Sequence, residues 1–160
     1  MDSITFAQFG ADVTSVDLVE SNLEIIKRVS DYLHLKNMKF YYLETLESLS
    51  SLHNFDVIWC CGSLINSPFN NVKEERKELL KHLPIGGRWI ELGYPKERWI
   101  REGSMPFEKW GGKTDGGAPW IEWYDLDKLL EGLSPALFDV VLNFNFHNDD
   151  FNWFDLIRLS

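Results

Sequence analysis

Over the first 95 residues, segments with strand character and segments with helical character alternate, and few folds accept that pattern. Strands joined through helices run parallel, so the expectation is an α/β protein, a mostly parallel sheet layered between helices. Ser3 to Phe9 reads as a short helix, with Ser3 as its cap and Gly10 in the left-handed position beyond its end. Asp12 to Leu18 (DVTSVDL) is rich in β-branched residues and reads as a strand. A helix opens at Ser21 with Glu24 completing a capping box, and Ile25, Ile26, Val29 and Leu33 recur at helical spacing. Phe40 to Leu43 is the second strand, followed by a helical stretch through Leu46, Leu49 and Leu52. Asp56 to Cys61 (DVIWCC) is apolar at consecutive positions, as a strand covered on both faces would be. Asn71 and Glu74 mark a further box-like helix start, Val72, Leu79, Leu80 and Leu83 line that helix, and Pro84, Gly86 and Gly87 stop it. Arg88 to Leu92 is the fourth strand.

After Tyr94 the periodicity is lost. Residues 95–124 carry glycines, prolines and tryptophans and read as a long irregular insertion. A helix follows from Leu126 to Leu133, capped by Asp125. Phe138, Val140, Leu142, Phe144 and Phe146 alternate with more polar neighbours, and Phe151 to Leu159 returns beside them through a turn at Asn148, Asp149 and Asp150. That pair is an antiparallel hairpin. There is no internal repeat and no low-complexity linker, so residues 1–160 read as one domain, as a chain near 150 residues would.

Composition narrows the partners. With 44% apolar and 26% charged residues, the chain has the makings of a packed core. It holds no apolar run of the roughly 18 residues a membrane span needs, and no signal-peptide pattern. Sixteen basic against 25 acidic residues leave a net charge of −9, which repels phosphate backbones, so neither nucleic acid nor membrane is the expected partner. Cys60 and Cys61 are adjacent, which is neither a disulfide framework nor a metal-ligand spacing. A reducing cytoplasm is the expected compartment.

Several strings, in order, resemble the class I S-adenosylmethionine-dependent methyltransferase family. FGADVTSVDLVESNLE is similar to that family's second strand, with an acidic residue at its end; FDVIWCCGSLINS is similar to its fourth strand and following loop. LLKHLPIGGRWIELG resembles its helix, Pro-x-Gly-Gly turn and fifth strand, and FNWFDLIRL its final strand. The resemblance implies a Rossmann-like three-layer sandwich ending in an antiparallel hairpin, S-adenosylmethionine as cofactor, and a small-molecule acceptor. It also implies a gap. In the family a first strand and a glycine-rich loop precede the acidic strand, whereas this sequence has about a dozen residues before Val13 and no GxGxG anywhere. The chain therefore resembles a methyltransferase domain that begins one strand late, from an incomplete gene or a degenerate relative. Weak or absent cofactor binding is the expectation.

Open α/β sheets bind ligands at the carboxyl ends of their strands. By the resemblance, Asp17 accepts hydrogen bonds from the ribose hydroxyls, two oxygens matching two neighbouring donors. A strand-end aspartate that starts a turn or partly caps a helix is the alternative. Glu44 and Thr45 would read the adenine edge, and Leu18 and Leu46 would sandwich the ring, unless the first two merely begin a solvated helix and the leucines are plain core. Cys61, Gly62 and Ser63, with Leu64, would face the sulfonium, against the alternative of a tight turn after a buried strand. No catalytic residue is assigned, because methyl transfer from a sulfonium depends mostly on positioning. His82 and His147 are candidate bases only by elimination. WGGKTDGGAPW, Trp110 to Trp120, lacks the GK[ST] ending of a phosphate loop and suits an acceptor-side lid. Trp99, Trp110, Trp120, Trp123 and Tyr124 form either an acceptor pocket or a local aromatic cluster. Removing the family's central strand leaves two inner strand edges unpaired, so an altered sheet centre or a homodimer is expected. A nicotinamide-dependent Rossmann enzyme and a non-catalytic relative serving as an interaction or scaffold module are the alternatives. The former needs the same glycine loop and leaves the hairpin unexplained.

Overall fold

Each short apolar string bounded by glycine, asparagine or aspartate becomes a strand in the computed structural model, which describes residues 2–114 and 117–160. The chain divides into two compact units, residues 1–51 and 52–160.

The first unit runs α1 (Asp2–Gln8), β1 (Val13–Asp17), α2 (Glu20–Tyr32) and β2 (Met38–Tyr42), then a 3-10 turn over Leu46–Ser51. β1 and β2 pair in parallel from Val13↔Met38 to Asp17↔Tyr42, so both strands leave the sheet at the same end. Asn37 ties this unit together. Its side-chain amide donates to Ala7 O at 2.8 Å and Ala11 O at 2.7 Å, joining the last turn of α1 and the segment before β1 to the start of β2. Gly10 takes the left-handed conformation expected of it, with φ 93°.

Three local readings need correction here. Ser3 lies inside α1, which already begins at Asp2. No capping box forms at Ser21: α2 starts at Glu20 behind Val19, which has no capping side chain. The face that α2 buries carries Leu23 and Ser30, while Ile25 is exposed. Ser30 is tolerated there because it is small and its hydroxyl reaches Leu35 O.

The second unit contains β3 (Val57–Cys61), α3 (Phe69–Leu80), β4 (Arg88–Gly93), α4 (Lys96–Arg101), α5 (Phe107–Thr114), α6 (Leu126–Leu133), β5 (Phe138–Phe146) and β6 (Phe151–Arg158). Its sheet has the order β3-β4-β6-β5. β3 and β4 are parallel, and β6 runs antiparallel to both β4 and β5, giving the expected terminal hairpin. Ile58, Cys60, Trp89, Phe154 and Leu156 form the buried face of this sheet, packed with Val72 and Leu80 of α3 and Leu129 and Leu133 of α6. α6 spans the predicted residues, and Asp125 caps it by accepting Lys128 N–H at 2.9 Å.

β3 is covered on one face only, since Val57 and Cys61 are exposed while Ile58 and Cys60 are buried. The consecutive apolar run there reflects a half-buried strand with an aromatic on its second face, where Trp59 meets Trp153 edge-on. α3 begins at Phe69, before the Asn71–Glu74 pair, and Asn71 instead donates to Ser67 Oγ. Residues 95–124 are not irregular throughout: α4 and α5 lie within them.

Each unit has its own sheet: β1 pairs with β2 in the first, and β3 pairs with β4 in the second.

Candidate functional site

Each unit presents its own residues at the carboxyl ends of its strands. In the first, Asp17 ends β1, and its carboxylate is already in use. Oδ1 accepts Val19 N–H at 2.8 Å and Oδ2 accepts the Asn22 amide at 3.1 Å. This is the turn-forming role, and it also supplies the negative charge that suits the start of α2. A carboxylate offers about four lone-pair sites, so two remain for a ligand. Leu18, directly after it, is 63% exposed, far too open for a core residue. Beyond β2, Leu43 N–H donates to Asp17 O at 3.0 Å and extends the ladder, with Leu43 itself buried. Glu44 and Thr45 follow as exposed residues, and Leu46 is half-buried at the start of the 3-10 turn. A backbone N–H and the Thr45 hydroxyl hold the Glu47 carboxyl below its ordinary range, so Thr45 has a local task there. Parallel pairing thus brings Asp17, Leu18, Glu44, Thr45 and Leu46 to one end of one sheet.

In the second unit β3 ends at Cys61, which is exposed. Gly62 follows with φ 70° and donates its N–H to Leu92 O at 3.1 Å. Nothing lies within 4 Å of where a Cβ would stand, so glycine serves the left-handed turn here and leaves open space beside it. Ser63 is exposed; Leu64 and Ile65 turn inward and are buried. Cys60, one residue back, points into the core, where burial and then the nearby Glu91 carboxylate push its thiol up. It is therefore inert.

Trp110 and Tyr124 are completely buried, so neither faces an open pocket, and the Tyr124 ring is covered by the Lys128 ammonium 5.3 Å from its centre. The surrounding rings meet in series at tilted angles: Trp99 against Phe107 at 5.7 Å and Trp123 at 6.0 Å, and Phe107 against Trp120 at 5.5 Å. The aromatic-cluster reading describes this segment. Trp110 to Thr114 are helical within α5, while Asp115 and Gly116 of the lid reading lie outside the described residues. His82 is buried, and its carbonyl accepts Phe55 N–H just before β3, at the amino end of that strand. His147 is an exposed hairpin-turn residue with φ 59°. His82 thus lies at the opposite end of the sheet from the strands' carboxyl ends, whereas His147 directly follows β5, at the end where β4 also leaves the sheet.

A buried charge pair escaped the sequence reading. Arg76 of α3 and Glu91 of β4 are 0% and 1% exposed and meet at 2.5 Å. Trp89 Nε1 donates to the second Glu91 oxygen at 2.8 Å, and the Arg76 guanidinium lies 4.3 Å from the Tyr124 ring centre. Burial opposes the Arg76 charge, but the Glu91 carboxylate overcomes it and holds that guanidinium above its ordinary pKa. Burial likewise raises the Glu75 carboxyl and the Tyr124 hydroxyl. The signal was present in the spacing: Val72, Arg76 and Leu80 fall four apart on one helical row. Among the described residues no cluster could hold a metal ion, and no helix is long and apolar enough to cross a membrane.

No family model matches the sequence, and no curated protein matches it. Solved structures do. Magnesium protoporphyrin IX methyltransferase from Synechocystis PCC 6803, with bound SAH, superposes with a TM-score of 0.71 at 19% identity over 98% of this chain and 68% of its own. The N-methyltransferase NodS from Bradyrhizobium japonicum, in complex with S-adenosyl-L-homocysteine, gives 0.62 at 13% identity over 92% and 66%. The [4+2]-cyclase SpnF gives 0.70 at 13% identity over 98% and 71%. The chain spans about two-thirds of the length of these proteins. It has the class I methyltransferase fold, a Rossmann-like α/β architecture with an antiparallel C-terminal hairpin. SpnF illustrates that this fold also hosts other chemistry, so function is argued from the site.

Proposed function

We propose that residues 1–160 form a methyltransferase-like domain related to enzymes that use S-adenosylmethionine and act on a small molecule. The observation that carries this reading is Asp17, a strand-end carboxylate with spare acceptor capacity, followed by exposed Leu18. The nucleoside end of the cofactor fits the first unit. There Asp17 would hold the ribose, Glu44 and Thr45 the adenine edge, and Leu18 and Leu46 the faces of the ring. In the second unit Cys61, Gly62 and Ser63 would line the sulfonium end, where Gly62 leaves open space. The methionine end has no counterpart among these residues, because the sequence contains no GxGxG. The cofactor supplies an electrophilic methyl group; the chain's own residues supply orientation. The edge of β1 away from β2 is the reason to include a second copy of the chain as a partner.

Calorimetric titration with S-adenosylhomocysteine tests the assignment. The expected affinity is weak, with a Kd above about 100 μM, since only the nucleoside end is gripped. Asp17→Ala should weaken it further by about tenfold, the loss of charge-assisted hydrogen bonds. Unchanged affinity in that variant removes the ribose role, and micromolar binding by the parent chain overturns the expectation of a half-made site.

A further inference from the structure

The ammonium of Lys128 stands in a box of rings. Its Nζ lies 3.9 Å from the Trp123 ring centre, 5.3 Å from Tyr124, 5.4 Å from Phe69 and 5.4 Å from Phe107. All four are within the roughly 6 Å over which an aromatic face attracts a cation. The same Nζ donates to Glu122 Oε1, and Glu122 Oε2 accepts Trp120 Nε1 at 3.1 Å. The Glu122 side chain is 3% exposed and that of Lys128 is 16% exposed. A carboxylate so far from water requires a cation beside it.

These features have the chemistry of a cation receptor. Rings surround the charge, one buried carboxylate fixes it, and the occupant arrives on a flexible four-carbon stem from the first turn of α6. The backbone holds the box in place: Glu122 N–H donates to Ile65 O at 2.7 Å, and Trp123 bridges Tyr94 directly after β4. The receptor therefore sits on the loops that leave the carboxyl ends of β3 and β4. Lys128 is the part that can withdraw, because its stem alone connects the charge to the helix.

We propose that Phe69, Phe107, Trp123, Tyr124 and Glu122 form a binding site for a primary alkylammonium group, in which Lys128 is a displaceable built-in occupant. The ligand class follows from the site. Glu122 demands positive charge and an N–H donor, and the rings favour an alkyl-substituted ammonium over a hydrated metal ion. A neutral or anionic ligand would leave the carboxylate buried and unpaired. This inference is independent of the methyl-donor reading and is tested without any donor present.

The probe is n-butylammonium, which reproduces the lysine side chain, titrated against sodium at equal ionic strength. Lys128→Ala should melt at a lower temperature than the parent, and the probe should raise that melting temperature saturably where sodium does not. The parent chain should show a saturable shift of the Trp123 indole N–H resonance at about tenfold higher probe concentration, because Lys128 competes. Glu122→Gln in the Lys128→Ala background should abolish the response. A parent chain or a Lys128→Ala variant that responds no differently to butylammonium than to sodium overturns the proposal, as does a response that survives Glu122→Gln. If Lys128→Ala fails to fold alone, refolding decides: recovery with butylammonium but not with sodium supports the site, and no recovery overturns it.

Discussion

Arg76 and Glu91 set the most demanding condition of any residues in the chain, because both are charged and both are removed from water. Their pairing is satisfied from two sides, by each other and by Trp89 Nε1. Breaking such a pair from one side strands a charge, and that costs about 3–5 kcal/mol. Arg76→Met should therefore lower stability by that amount, read as a drop in the urea midpoint at unchanged slope. Replacing both, as Arg76→Met with Glu91→Leu, removes the stranded charge. The remaining loss is the Trp89 hydrogen bond, about 1–3 kcal/mol for a buried donor left unpaired. The double variant is thus expected to be more stable than Arg76→Met alone, and additive losses would show that the two charges are not coupled. Gly132 belongs to the same arrangement: a Cβ there would stand 2.7 Å from Arg76 Nη1, so the glycine on α6 gives the guanidinium its place.

Elements are harder to read than residues, and α5 shows why. Gly111 and Gly112 sit within it, and paired glycines argue against a helix on propensity alone. They have different reasons to be there. A Cβ on Gly111 would stand 2.4 Å from Ala118 O and 3.0 Å from the Trp120 carbonyl carbon, so the returning backbone passes against it. A Cβ on Gly112 meets nothing within 4 Å. Gly111→Ala should destabilise by about 1–3 kcal/mol through overpacking, whereas Gly112→Ala should stabilise by about 0.5–1 kcal/mol through helix propensity. Thermal melting of the two variants should give shifts of opposite sign; equal shifts would mean that the close approach is absent. The same distinction separates what was legible from what was not. β1, β2, β4, α6 and the hairpin follow from period and caps, because local chemistry and final packing agree there. The Ser21 and Asn71 boxes failed because Asp17 and Pro68 already determine how those helices begin. The aromatic stretch hid two helices because tertiary contacts hold them. At the candidate site, sequence located Asp17 and Cys61 to Ser63 at strand ends and offered the turn-forming role of Asp17 as an alternative, but could not name Val19 and Asn22 as its donors. The Lys128 box depends on rings from three separate stretches of chain, which no spacing rule connects.

At the scale of the molecule the governing feature is the two-stranded sheet of the first unit. Among the described residues β1 is paired along one edge, with β2, and its other edge presents backbone groups that need partners. All five residues of β1 are only half-buried. An unpaired edge is a template for another strand, and a second copy of this chain is the partner always present in a purified sample. Charge opposes that association, since each copy carries −9. Salt screens the repulsion over about 8 Å at physiological ionic strength while leaving backbone hydrogen bonds intact. Edge pairing therefore predicts that dimerisation strengthens as salt is raised, the reverse of an interface built on ion pairs. Sedimentation velocity across a concentration series should give a species at twice 18.7 kDa that grows with salt. Hydrogen exchange then identifies the contact, because amides on the outer edge of β1 should slow together with dimer formation. A sample that stays at 18.7 kDa at every concentration and salt, with those amides exchanging freely, excludes a second copy as the source of the missing pairing.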